Sequence, residues 1–195
     1  MKLSTLLLDR DGVINHDSPD YIRSADQWKA IPGSLETIAE LSKAGVWVGI
    51  ATNQSGLARG YFSTADLDQM HQKLRRGVEA LGGQVHAIAH CFHLPSDHCD
   101  CRKPKPGLLD QLIALRGDGF VSHETVMIGD TAKDLEAAES RGISAVLVRT
   151  GKGADTEKNQ DIKTQCTIPS HTGPVTPSRW TFRRLGWPRS VRFAQ

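Results

Sequence analysis

The chain has 195 residues, of which 38% are hydrophobic, and a formal net charge of +2. That is enough for one domain with a sizeable core and a tail. The apolar run at residues 3–8 is ended by Asp9, Arg10 and Asp11, too soon for a secretory leader, and no stretch approaches membrane-spanning length. These features exclude a disulfide-stapled secreted domain or a membrane span and lead us to expect a cytoplasmic protein.

Residues 3–8 read as a buried strand, followed by a helix over about 34–43 that Gly45 closes. Residues 46–51 (VWVGIA) form a second buried strand. Ser63 opens a longer helix with a capping-type start, which Gly82 and Gly83 stop. A third strand spans 85–92 and leads into a loop holding three of the four cysteines. A helix over 108–115, a strand over 125–128, a helix over 132–140 ended by Gly142, and a strand over 145–148 complete the pattern. Five apolar strands alternating with helices define an α/β fold, with a parallel sheet covered on both faces. Ligands of such folds sit at the carboxyl ends of the strands.

After residue 150 the pattern dissolves. Residues 152–195 carry eight Lys/Arg against three Asp/Glu, with Trp180, Trp187 and the lone Cys166, so the positive charge belongs to the tail and the body is mildly acidic. We expect a domain over residues 1–151 and an atypical basic tail over 152–195, either disordered or loosely packed.

The strand ends carry the chemistry. Asp9 and Asp11 in LLLDRDGVIN lie two residues apart in extended chain and face the same way, and Gly12 lets the backbone turn aside. Paired acids either bind a hard cation such as Mg2+ or divide nucleophilic and acid/base work. GDTAKD adds Asp130 and, on the first turn of a helix, Asp134, which is either a third acid of a cation site or a helix-dipole partner. TNQSG supplies Thr52, Asn53 and Ser55 as neutral donors to phosphate oxygens. Cys91, His93, Cys99 and Cys101 have the spacing of a closed four-ligand zinc site. His90 and His98 compete for the histidine place, and the tight C-x-H and C-x-C pairs favour His93.

These motifs in this order (DRDG, a threonine after strand two, KPKPG, GD-x3-D) resemble the haloacid dehalogenase (HAD) superfamily over residues 3–150. The resemblance implies a Rossmann-like, essentially capless fold and phosphoryl transfer through an aspartyl-phosphate. It makes Asp9 the nucleophile and Asp11 the general acid/base, with Thr52 and Lys103 binding the phosphoryl group. Mg2+ would be held by Asp9, Asp130 and the Asp11 carbonyl, and Zn2+ would be structural. Within the superfamily, ATNQSGLARG, the cysteine loop and Asn15 look most like the zinc-containing heptose 1,7-bisphosphate 7-phosphatases of lipopolysaccharide heptose synthesis. Histidinol-phosphate phosphatases share the zinc loop. On that likeness the sugar phosphate is lined by Asp17, Ser18, Pro19, Asp20, Thr52, Asn53, Gln54, Ser55, Arg102 and Lys103. Position 131 is Thr where some relatives carry a charge, a departure from the family pattern at one substrate contact. Since residues 152–195 do not resemble the strand and amphipathic helix that end related chains, we expect a diverged or frame-altered terminus. A monomer is expected. A zinc-bearing nucleic-acid module is the competing class, disfavoured by the acidic body and by the carboxylates that would repel the ligand.

Overall fold

A computed structural model describes residues 2–159 and the backbone of 167 and 168. A parallel sheet forms the centre, with strands β1 (Thr5–Leu8), β2 (Trp47–Asn53), β3 (Ala87–Cys91), β4 (Thr125–Gly129), β5 (Ser144–Val148) and β6 (Thr167–Ile168) in the order β3-β2-β1-β4-β5-β6. The helices are α1 (Ser34–Lys43), α2 (Thr64–Glu79), α3 (Gly107–Arg116), α4 (Ala132–Glu139) and α5 (Gly153–Asn159).

Alternation along β1 decides which layer each side chain joins. Leu6 and Leu8 pack with Ile38 of α1 and with Leu67, Met70, Leu74 and Val78 of α2. Leu7 points the other way, onto Leu108, Leu109 and Leu112 of α3 and Ala137 and Ala138 of α4. Both faces of the sheet are therefore covered, which is why the strands read as continuous apolar runs. The spacing of Leu67, Met70, Leu74 and Val78 gives α2 its single buried stripe. Its start is fixed by Ser63, whose hydroxyl accepts from the Asp66 N–H while the Asp66 carboxylate accepts from the Ser63 N–H.

The strand order places β1 centrally, hydrogen-bonded to β2 and β4, so the residue that follows it stands at the point where the connections diverge to either side. The longest connection among the described residues, 9–33, is folded back on itself by bridges of Asn15 to Asp11 and to Ala30. No domain is inserted at any strand end among the described residues.

The expected end of regular structure at residue 150 is corrected. α5 follows directly, and β6 adds a short parallel partner to β5. A seven-residue helix with the sequence GADTEKN and a two-residue strand are both too short to show an apolar period. The rest of the basic tail, with Cys166, Trp180 and Trp187, lies outside the described residues.

Candidate active site

Asp9 leaves the end of β1 with its N–H donating to the Ile128 carbonyl of β4 at 2.9 Å. Its Oδ1 is 2.9 Å from Lys103 Nζ, which also meets Asp134 Oδ1 at 2.5 Å and donates to the Ala51 carbonyl at 2.6 Å. Lys103 reaches this place from the cysteine loop because Asn53 grips its backbone in both directions: the Asn53 amide donates to Lys103 O, and Lys103 N donates to Asn53 Oδ1, each at 3.1 Å. Asn53, expected to contact substrate, thus uses its side chain to hold the lysine.

Carboxylate oxygens of Asp9, Asp130 and Asp134 lie within 4.8 Å of one another. Three acids facing one ammonium leave a surplus of negative charge in a buried place. Burial, joined by the neighbouring Asp134 and Asp130 and opposed by Lys103, pushes Asp9 up to about 7. Burial likewise pushes Asp130 up to about 6, against the Lys152 N–H that donates to its Oδ2. An all-oxygen donor set with unneutralised charge fits a hard divalent cation such as Mg2+. Asp134 combines both expected roles in part, since its Oδ2 accepts from the N–H and hydroxyl of Thr131 at the start of α4 while Oδ1 meets Lys103. Gly12 and Gly151 have positive φ, and a Cβ on either would collide with the Asp130 carboxylate.

Asp11 has different surroundings. Arg10, fully buried, holds both its oxygens (Nε to Oδ1 at 3.0 Å, Nη2 to Oδ2 at 2.9 Å). Asn15 Nδ2 and Gln54 Nε2 each add a bond of 2.8 Å. Burial alone would raise its pKa, but the Arg10 charge and these donors outweigh burial and hold the carboxyl below its ordinary range. Behind Arg10, its Nη1 lies 3.4 Å from Nε2 of His71, a residue of α2. Burial, then the Arg10 cation, lowers His71 to about 3, so it stands neutral as an acceptor. The Asp11 carboxylate is thus taken up by Arg10, Asn15 and Gln54 and is not one of the three in the acid cluster.

Neither Arg10 nor His71 was assigned a role from the sequence. An arginine between two acids at a strand end was a signal for Arg10, and a histidine on the apolar stripe of α2 a weaker one for His71. Gln54 also donates to Thr52 Oγ1 at 2.8 Å, tying Thr52 to Asp11. Of the 17–20 segment, Pro19 and Asp20 are exposed, Ser18 N donates to Asp17 Oδ1, and Asp17 Oδ2 pairs with Lys152 Nζ at 3.0 Å.

The cysteine loop brings Cys91, His93, Cys99 and Cys101 together. Cys101 Sγ is 3.2 Å from Cys91 Sγ, 3.5 Å from Cys99 Sγ and 3.2 Å from His93 Nδ1, and Cys91 Sγ is 3.7 Å from Cys99 Sγ. These edges are too long for a disulfide bond and near the roughly 3.8 Å that tetrahedral Zn–S bonds of about 2.3 Å imply. His90 lies outside the cluster, against His71, and exposed His98 also stands apart from it. Arg102 Nη1 donates to the His93 carbonyl, so the loop fixes the cation that precedes Lys103.

An aspartate at the end of β1, a buried lysine and an acid cluster on a parallel sheet fit a phosphohydrolase of the HAD type. The HAD-hydrolase-like family matches residues 100–171. The chain is 52% identical to the D-glycero-beta-D-manno-heptose-1,7-bisphosphate 7-phosphatase of Pseudomonas aeruginosa over 161 residues, covering 80% of this chain and 86% of that one. The same enzyme of Neisseria meningitidis is 42% identical, with 88% of each chain covered. Among solved structures, D,D-heptose 1,7-bisphosphate phosphatase from B. bronchiseptica, complexed with magnesium and phosphate, superposes with a TM-score of 0.77 at 45% identity, covering 81% of this chain and 87% of that one. The chain belongs to this family of HAD-superfamily phosphatases.

Proposed function

We propose that the protein removes the 7-phosphate of D-glycero-D-manno-heptose 1,7-bisphosphate through an aspartyl-phosphate on Asp9. The observation that carries the reading is Lys103, buried and bonded to Asp9, Asp134 and the Ala51 carbonyl within the acid cluster. Family membership supplies the substrate class. Asp9, Asp130 and the Asp11 carbonyl would hold Mg2+, which supplies the charge neutralisation that lets an anionic carboxylate meet an anionic phosphate.

The chain's own groups then act in order. Lys103 draws the phosphoryl oxygens towards Asp9, joined by the hydroxyls of Thr52 and Ser55. An Asp9 oxygen forms the bond to phosphorus as the bond from phosphorus to the sugar oxygen breaks, and Asp11 protonates the departing oxygen. The negative charge of a bound phosphate beside Asp11 opposes the pull of Arg10 and raises the proton affinity of the carboxyl, which takes its proton from solvent before the ester bond breaks. Asp11, again a carboxylate, then takes a proton from water as that water attacks phosphorus, and the bond from phosphorus to the Asp9 oxygen breaks to release inorganic phosphate.

The Cys91, His93, Cys99 and Cys101 set fits Zn2+ by donor type and spacing, in a structural role that keeps Arg102 and Lys103 in position. Thiolate ligation of this kind belongs with a reducing cytoplasm. No helix among the described residues is long and apolar enough to cross a membrane. The test is phosphate release from both anomers of heptose 1,7-bisphosphate and from histidinol phosphate, with and without Mg2+. Preference for a heptose anomer supports the reading, and preference for histidinol phosphate overturns it.

A further inference from the structure

The proposed substrate carries two phosphates; Lys103, Thr52 and Ser55 are assigned to the transferred one, which leaves Arg102 as the expected cation for the other. Lys103 and Arg102 follow β3, on one side of central β1; Lys152 follows β5, on the other. The turn that carries Lys152 is fastened to the floor of the site. Its backbone N–H donates to Asp130 Oδ2 at 2.8 Å, and Thr150 Oγ1 donates to the Gly12 carbonyl at 2.6 Å. Within the same turn, Gly151 lies so close to Asp130 that no side chain fits between them. Thr156 of α5 adds a bond from its hydroxyl to the Asp130 carbonyl at 2.9 Å.

From this anchored backbone the Lys152 side chain, 67% exposed, extends across the rim to Asp17 Oδ2. Asp17 belongs to the connection after β1, the segment that also carries Asp11 and Gly12. An ammonium and a carboxylate therefore span the edge of the site opposite Arg102. An exposed pair of this kind contributes little to stability, so exchanging it costs little. A phosphate group offers an ammonium more charge and more acceptor oxygens than a carboxylate does.

We infer that Lys152 receives the second phosphate of the substrate, releasing Asp17, whose carboxylate then accepts a hydroxyl of the sugar. This assignment rests on the bisphosphate reading given above. In it the ion pair is the resting state of a specificity contact. The other account of the same geometry, a tether between two loops, makes a different kinetic prediction.

The experiment compares wild type, Lys152→Ala and Lys152→Arg on heptose 1,7-bisphosphate and on p-nitrophenyl phosphate, which has no second phosphate. For Lys152→Ala the loss in kcat/KM on the bisphosphate should exceed the loss on p-nitrophenyl phosphate by about tenfold or more, carried by KM. Lys152→Arg should recover most of it. Equal losses on the two substrates, or no loss on the bisphosphate, overturn the assignment. A second measurement needs no heptose: inhibition of p-nitrophenyl phosphate hydrolysis by fructose 1,6-bisphosphate relative to fructose 6-phosphate. Lys152→Ala should erase any advantage of the bisphosphate, and an advantage kept in full overturns the role of Lys152. Wild type that is inert on the heptose but shows the Lys152-dependent advantage overturns the heptose reading alone.

Discussion

Asp9 and Asp11 are the same amino acid two positions apart, yet their surroundings drive them in opposite directions. Burial among other acids pushes Asp9 up to about 7, whereas Arg10, Asn15 and Gln54 hold Asp11 down. Divergent environments of this kind separate a metal-dependent nucleophile from an acid/base. Asp9→Asn, which keeps the shape and removes the nucleophile, should lower turnover by at least about 1000-fold while the protein still melts cooperatively. His71 offers a test on stability. Its folded pKa of about 3 lies below the ordinary 6.5, so the unfolded chain takes up a proton that the folded chain refuses. Stability from this group is complete above pH 6.5 and is lost as pH falls towards 3, amounting to about 2 kcal/mol at pH 5. Relative to wild type, His71→Gln should therefore gain in thermal stability as pH drops from 7 to 5; a constant offset would rule this origin out. Asp9, Asp11, Asp130 and the clustering of Cys91, His93, Cys99 and Cys101 could be singled out from the sequence because each is announced by residues next to it. The pairing of Arg10 with His71, 61 positions apart, and the grip of Asn53 on Lys103, 50 apart, were not, since nothing local encodes them.

At the scale of elements, the cysteine loop and β2 act together on one lysine. The loop has few apolar residues, and in the proposed reading a structural zinc would order it; such ions contribute on the order of 10 kcal/mol of apparent binding energy. Lys103 is two residues beyond Cys101 and is gripped by Asn53. Chelation, or Cys101→Ser, should reduce kcat through lost order at Arg102 and Lys103, with hydrogen exchange rising across residues 92–106 and remaining low in β2. Unchanged kinetics in zinc-free protein would contradict this role. Asn53→Ala should act in the same direction with zinc still bound, and zinc content with kcat measures both. The main elements were readable from the sequence because their apolar runs and stripes match strand and helix periods. α5 and β6 were not, because short elements are held by what they pack against, here Asp130 and β5.

For the whole molecule, the acid cluster makes cation binding and stability one problem. Asp9 and Asp130 hold protons up to about 7 and about 6, above the ordinary 3.8, so the unfolded chain releases those protons first. Without a cation these groups therefore disfavour the fold increasingly as pH rises from about 4 to 7, the reverse of the His71 trend in much the same window. The two oppose each other in a raw stability curve, and the discriminating quantity is the rise in Tm on adding Mg2+. We expect that rise to grow steadily from pH 5 to pH 7.5 in wild type and to shrink in Asp130→Asn; a rise independent of pH would refute the coupling.

The central place of β1 also sets a timetable. Asp9 lies early in the chain, but its strand is flanked by β4, and the Gly12 carbonyl near it is tied to Thr150, 138 positions later. A ribosome must therefore deliver nearly the whole described chain before Asp9 has its neighbours, whereas the cysteine cluster is complete once residue 101 has emerged. The emerging polypeptide thus gathers its cysteine cluster well before the acid cluster around Asp9 is complete.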